Sequence, residues 1–212
     1  LGVMTAAGVN ALPSRPTTWP ADIDTTYSAL TFTMNKWTGP DGSPQAEKSP
    51  VKGKFERFTV ALTKRIPEIK TVKDLNDLSG TIHIALDSVS TGLPPRDLNI
   101  VESYFEAPIF KQATFQLRRV QVPGSGELQL DKTYEAVLDG TLDLHGVRKD
   151  LNGIRVSIRP TEAGIALENL HPMSVASKDF GLDEQVNALL RACGHKGIDE
   201  AANLNLKLLL TR

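Results

Sequence analysis

The sequence has 212 residues, of which 40% are hydrophobic and 23% are charged, and its formal net charge is -1. This composition is typical of a globular protein, and the near-neutral charge gives no reason to expect binding to nucleic acid or to an anionic membrane surface. No apolar run reaches the roughly 18 residues of a membrane span. The single cysteine, Cys193, excludes an intrachain disulfide framework.

The first 18 residues are mostly small and polar and are interrupted by prolines. This composition predicts a flexible leader or a linker between domains. The chain lacks a starting Met, which fits a removed signal segment and an internal start of a longer protein equally well. We therefore predict a leader over residues 1–18 and one domain over residues 19–212.

Most of this domain alternates apolar and polar residues with a period of two, which is the pattern of β-strands. Residues 66–78 are predicted to be an excursion between strands, residues 38–50 a long polar loop, and His145-Gly146 a hairpin turn. The predicted strands cover residues 22–36, 51–64 with a bend between Phe55 and Phe58, 80–88, 113–122, 134–144, 147–160, 164–170, 173–180 and 201–211.

Residues 90–105 interrupt this succession of strands. The segment contains Pro94 and Pro95, which fix φ where the first turn of a helix has no use for an N–H group. Leu98, Val101 and Phe105 then recur at roughly helical spacing. The segment is therefore predicted to be a short amphipathic helix that lies across an apolar surface. A second helix is predicted over residues 183–193.

Strands that follow one another through turns imply an antiparallel sheet rather than βαβ units. The predicted strands are long, and closing the sheet into a barrel would remove its exposed edges. We therefore predict an all-β protein, an extended eight-stranded antiparallel barrel with one or two short helices packed at its ends or side. A barrel of eight strands is either filled by its own side chains or holds one small ligand.

Few residues are placed for catalysis or metal binding. Asp143 and His145 share a strand face, but no third ligand stands near them in sequence. Cys193 and His195 flank a glycine after the second helix, and adjacent loop residues rarely form a catalytic couple. We predict no metal site and no catalytic residues.

Arg96 and Asp97 stand together at the start of the helical segment. They are interpreted as a structural clasp that anchors the helix start, because an acidic residue near a helix N-terminus and a charged pair both stabilise such a segment. A catalytic couple is the alternative interpretation.

Four short motifs occur in order along the chain, and together they resemble those of the YceI-like family of bacterial lipid-binding proteins. The resemblance covers roughly residues 19–212. Its departures include Tyr27 where the family usually has His, and Asn99-Ile100 where the family tends to have His-Leu. The motifs are Asp24-Thr-Thr-Tyr27-Ser28 with Phe32, Thr91-Gly92 with Arg96-Asp97, Gly140-Thr141-Leu142 with Leu144-His145-Gly146-Val147 and Lys149, and Ser177-Lys178-Asp179-Phe180-Gly181-Leu182.

The resemblance implies a lipocalin-like barrel with a long internal tunnel for an isoprenoid lipid, such as ubiquinone, another isoprenoid quinone or a polyprenyl phosphate. It also implies a periplasmic or secreted protein that acts as a carrier, reservoir or sensor, with this lipid as its ligand and no cofactor required.

An inward apolar stripe is by itself the ordinary sign of a packed core, so the binding role of particular side chains follows from the resemblance. Phe105 and Phe110 are expected to close over the lipid from the helical segment. The other candidate lining residues, taken from the inward faces of the strands, are Leu30, Phe32, Met34, Ile84, Leu86, Phe115, Leu138, Leu142, Leu144, Leu206 and Leu208.

Two other functions stay open at this point. One is an enzyme that acts on a hydrophobic substrate through Arg96, Asp97 and His145. The other is an interaction module attached to a further domain through the leader. A homodimer also stays open.

Overall fold

Strands dominate the part of the chain that the computed structural model describes, residues 17–37 and 48–211. The helices are α1 (Val72–Asn76), α2 (Pro94–Asn99) and α3 (Asp183–Cys193), with a π-helical turn at Ile100–Tyr104 and 3-10 turns at Ile66–Glu68, Leu86–Ser88 and Ser177–Phe180. The strands are β1 (Trp19–Ile23), β2 (Ala29–Trp37), β3 (Lys48–Phe55), β4 (Phe58–Leu62), β5 (Gly80–Ala85), β6 (Val89–Ser90), β7 (Gln112–Gln121), β8 (Tyr134–Leu144), β9 (Val147–Pro160), β10 (Gly164–Asn169), β11 (Met173–Ala176), β12 (Gly197–Ile198) and β13 (Ala201–Thr211).

Eight antiparallel strands close into a barrel in the order β1-β4-β5-β7-β8-β9-β10-β13, because β13 pairs back with β1. The remaining strands lengthen one end of the barrel. Strand β2 pairs with β13 and β3, β6 pairs with β3, β11 pairs with β13, and β12 pairs with β2. The predicted extended eight-stranded barrel with short helices is confirmed. Within the described residues, no helix is long and apolar enough to cross a membrane.

Several predicted elements have the expected bounds. Strands β8, β9 and β13 and helix α3 begin and end where the sequence places them. His145 and Gly146 both have positive φ, 55° and 78°, which is the geometry of the two-residue turn that suits the twist of a hairpin. The leader predicted over residues 1–18 and the loop predicted over residues 38–50 lie largely outside the described residues.

The predicted strand over residues 22–36 is instead two strands, because the chain turns between β1 and β2. The Asp24 carboxylate accepts hydrogen bonds from the Thr26 N–H at 2.8 Å and from the Tyr27 N–H at 3.2 Å. Ser28 then holds the turn to the neighbouring strand, since its Oγ accepts a bond of 2.8 Å from the Leu209 N–H. Such a local carboxylate–backbone bond is the way in which Asp supports a turn.

Buried apolar side chains form two clusters, one toward each end of the barrel. We call the cluster that includes helix α1 the rear cluster; Val72 and Leu75 of this helix are buried in it. The other, the front cluster, includes Ile100 of the π-helical turn and Leu189 of helix α3. We call residues 91–107, which run across the front end with α2 and the π-helical turn, the lid.

Candidate functional site

An apolar cavity of about 110 Å³ lies inside the front end of the barrel. Strand residues form its wall, while the lid and helix α3 form its roof. Apart from Tyr104, all the lining residues have apolar side chains: Leu30, Phe32, Met34, Phe55, Ile84, Leu86, Ile100, Tyr104, Phe105, Ala113, Leu142, Leu144, Val175, Leu189, Ile198, Ala202 and Leu204. An apolar cavity of this kind stays dry and accommodates an apolar ligand.

Two smaller apolar cavities continue from this front cavity toward the rear. The middle cavity measures about 60 Å³ and the rear cavity about 70 Å³. Neighbouring cavities share side chains, so these side chains separate one space from the next. Leu30, Ile84, Leu142 and Leu204 lie between the front and middle cavities, and Ile82, Phe115, Leu138 and Leu206 lie between the middle and rear ones. A continuous tunnel would require these side chains to change rotamer.

The structure distributes the predicted lining residues over these cavities. Leu208 lines only the rear cavity, whereas Phe115, Leu138 and Leu206 line both the rear and the middle cavities. Those that line the front cavity are Leu30, Phe32, Met34, Ile84, Leu86, Phe105, Leu142 and Leu144.

The apolar face of the lid differs from the predicted one. Leu98 points outward and is 54% exposed, and its place over the cavity is taken by Ile100 and Tyr104. The reason is the π-helical turn, in which the Phe105 N–H donates to the Ile100 carbonyl five residues earlier at 2.9 Å. The extra residue per turn rotates the face that helical spacing predicts, and so Ile100 rather than Leu98 shares a face with Phe105.

Tyr104 is the lining residue of the front cavity whose side chain carries a polar group. Its hydroxyl lies 2.8 Å from Ser177 Oγ, and Ser177 is itself buried at the start of a 3-10 turn. Burial raises the pKa of Tyr104, partly offset by the Ser177 hydrogen bond. The side chain is therefore a neutral phenol that ties the lid to the Ser177 turn.

Arg96 and Asp97 hold the front of the lid, but through Thr91 rather than through each other. The Asp97 carboxylate accepts from the Thr91 N–H at 2.8 Å and also from the Thr91 hydroxyl. Arg96 donates from Nε to Thr91 Oγ1 at 2.7 Å and from a terminal nitrogen to the Thr91 carbonyl at 3.0 Å. We call these three residues the Thr91 clasp. None of them lines the front cavity.

Glu106 fastens the other end of the lid. Its carboxylate lies 2.8 Å from His145 Nε2 in the β8–β9 hairpin and accepts a bond of 2.9 Å from Gln185 in α3. Phe110 does not close the cavity as predicted, because its ring stacks against His145 with the ring centroids 3.7 Å apart. The lid is thus anchored at both ends.

The residue pairs considered above for metal binding or catalysis, Asp143 with His145 and Cys193 with His195, have other partners. Asp143 pairs with Arg148, while His145 bonds to Glu106. The amide of Asn99 lies 3.6 Å from the Cys193 sulfur, and His195 faces Lys36. The described ranges contain no group of His, Cys, Asp and Glu side chains that could hold a metal ion.

We expect Asp97→Ala to loosen the lid, because it leaves the Thr91 N–H without its carboxylate partner. One lost charged hydrogen bond corresponds to about a tenfold loss of local protection. Hydrogen exchange over residues 91–107 measures this. Asp87→Ala is the matched control, since Asp87 pairs with Arg57 outside the lid. Unchanged lid protection in Asp97→Ala would remove the Thr91 clasp as an anchor.

The model of the YceI-like domain family matches residues 22–209. The chain belongs to the YceI-like family. The motifs that carry this resemblance form the turn at Asp24, the Thr91 clasp, the strand and hairpin around Gly140 and His145, and the 3-10 turn of Ser177. A comparison with curated proteins finds no match.

Solved structures share the fold of this YceI-like protein. A polyisoprenoid binding domain from Saccharophagus degradans, implicated in plant cell wall breakdown, superposes with a TM-score of 0.67 at 18% identity over 88% of this chain and 94% of that one. BcnA from Burkholderia cenocepacia gives 0.61 at 14% identity over 88% and 98%. The Campylobacter jejuni YCEI protein gives 0.55 at 17% identity over 80% and 90%. These similarities show the barrel fold.

Proposed function

We propose that this YceI-like protein binds an isoprenoid lipid by its prenyl chain, with the front cavity as the first part of the binding site. The observation that carries the proposal is an apolar cavity beneath the lid, followed by two further apolar cavities along the barrel. Support comes from the Saccharophagus degradans domain of the same fold, which is described as polyisoprenoid binding.

The energetics of such a site favour chain burial. Each CH₂ group moved from water into an apolar interior contributes about 0.8 kcal/mol, so a five-carbon isoprene unit contributes at most about 4 kcal/mol. A few buried units would already approach the practical limit of noncovalent affinity.

The proposed role is that of a carrier, reservoir or sensor without chemistry of its own and without a cofactor. Arg96, Asp97 and His145, the residues of the enzyme hypothesis, all have structural partners, Thr91 or Glu106. We propose a periplasmic or extracellular location, which the family resemblance supports. Cell fractionation with detection of the full chain tests this location.

Organic extraction followed by mass spectrometry tests the lipid. Protein purified without detergent is expected to release a prenyl lipid in stoichiometric amount, and the fragment masses would distinguish a quinone from a polyprenyl phosphate. Protein precipitated and washed before extraction serves as the control for adhering lipid. A clean extract, together with no uptake of added prenyl lipid, would contradict the proposal.

A further inference from the structure

The barrel wall has a gap on one side, between the pair β1/β2 and the pair β3/β4. Strand β1 pairs with β4 from Trp19 to Ala21, and β2 pairs with β3 only from Leu30 onward. Between these two ladders, no backbone hydrogen bond joins residues 22–29 to residues 56–59, all of which are described. We call this interruption the wall gap.

The wall gap arises because both chain segments bend at the same level. The Asp24 turn carries the first segment toward β13, where the Asp24 N–H donates to the Leu209 carbonyl at 3.0 Å. On the other side, the Glu56 N–H donates to the Ser88 carbonyl at 3.0 Å, away from β1. In each segment a backbone N–H at this level bonds to the neighbour on the far side. The two segments can therefore separate across the gap without breaking a backbone hydrogen bond between them.

A space of about 170 Å³ fills the wall gap and leads toward the front cavity. Leu30 and Phe55 line both spaces, so these two side chains form the partition between them. Phe55 also packs against Phe32 and against Phe105 of the lid, with ring centroids 5.8 and 5.9 Å apart. A change of rotamer at Phe55 would join the gap to the cavity.

Outside the wall gap lies an open, polar groove. Thr25, Glu56 and Phe58 line both the gap and this groove, which also contains Arg57, His83 and Lys111. A polar headgroup could remain hydrated and hydrogen-bonded there while an apolar chain passes inward. The lid, in contrast, is fastened at both of its ends, by the Thr91 clasp and by Glu106.

We propose that a prenyl chain enters and leaves the front cavity sideways through the wall gap, with Phe55 and Leu30 moving aside. This inference rests on the proposed lipid-binding function and adds the route. Closing an access route lowers the association and dissociation rate constants by the same factor. The reason is that it raises the barrier and leaves the free energies of the free and the lipid-bound protein unchanged.

Closing the gap with a covalent bridge tests the route. Ala29 and Glu56 both line the gap and are the chain neighbours of Leu30 and Phe55, the last residues that β2 and β3 pair at this end. Ala29→Cys with Glu56→Cys, in a Cys193→Ser background, is therefore designed to bridge the gap, as a disulfide or through dibromobimane. Thr33→Cys with Lys52→Cys is the matched control, because these residues are paired in β2 and β3 beyond the gap. The probe is farnesol carrying an anthraniloyl fluorophore, followed by stopped-flow fluorescence.

The bridged protein is expected to take up and release the probe at about one tenth of the wild-type rates or below. A change of this size lies within the range by which association rates vary at one site. Reduction of the disulfide should restore both rates, and the control bridge should leave them unchanged. Uptake at the wild-type rate by the bridged protein would overturn the route and place access at the lid. Failure of the proposed function is distinguishable, because the reduced and wild-type proteins would then also show no binding.

Discussion

Leu142→Trp is expected to abolish most lipid loading while leaving the barrel folded. Leu142 is 6% exposed and lies between the front and middle cavities. An indole at this position would occupy the space into which a chain must extend. Loading of purified protein, measured by extraction, is expected to fall about tenfold or more, since an excluded isoprene unit forfeits up to about 4 kcal/mol.

Val137→Trp is the control for this substitution, because Val137 stands on the same strand and is half-buried outside the cavity linings. Thermal unfolding monitored by circular dichroism separates blocked binding from misfolding, since an overpacked core costs about 1–3 kcal/mol. Normal loading of a folded Leu142→Trp protein would remove Leu142 from the binding site.

Gly140→Ala is expected to destabilise the barrel by about 1–3 kcal/mol, the usual cost of overpacking. In most strand interiors the same substitution would stabilise the protein, since alanine is about 0.5–1 kcal/mol more favourable there than glycine. At this position, however, a Cβ atom would overlap the Phe115 ring and lie 2.6 Å from the Gln116 carbonyl oxygen. Glycine is therefore the residue that lets Phe115 lie between the middle and rear cavities.

Urea denaturation of a double-mutant cycle checks this explanation. Phe115→Leu should cost less stability in the Gly140→Ala protein than in the wild type, because the smaller side chain relieves part of the overlap. We expect a coupling energy of about 1 kcal/mol, in the range found for residues in contact. Additive effects would show that the carbonyl contact, and not the aromatic ring, makes glycine necessary.

Strand faces were predictable from the sequence because the alternation of apolar and polar residues indicates which side chains point inward. Ala136, Leu138, Gly140, Leu142 and Leu144 are all buried, as their spacing in β8 predicts. Alternation does not state how deep along the barrel a residue lies. For this reason Leu142 lines the front and middle cavities, whereas Leu138, on the same face of the same strand, lines the middle and rear cavities. Leu208 lies at the rear.

The lid was less predictable than the strands. Helical spacing selects Leu98, but the π-helical turn that follows α2 shifts the inward face to Ile100 and Tyr104, and no spacing rule marks such a turn. The turn at Asp24 did have a local signal, because a short polar run after Asp is typical of a carboxylate-supported turn. The wall gap needs the three-dimensional pairing of distant strands, which local sequence does not contain.

Strand β13 has a consequence for when the protein becomes competent to bind. It pairs with β1, β2, β10 and β11, and its residues line the front, middle and rear cavities. Its partner β1 is almost the whole domain away in sequence, and contacts this distant form slowly because a long loop must close first. Until β13 docks, there is no enclosed interior to keep water out. Ligand loading therefore follows barrel closure and cannot guide the early steps of folding.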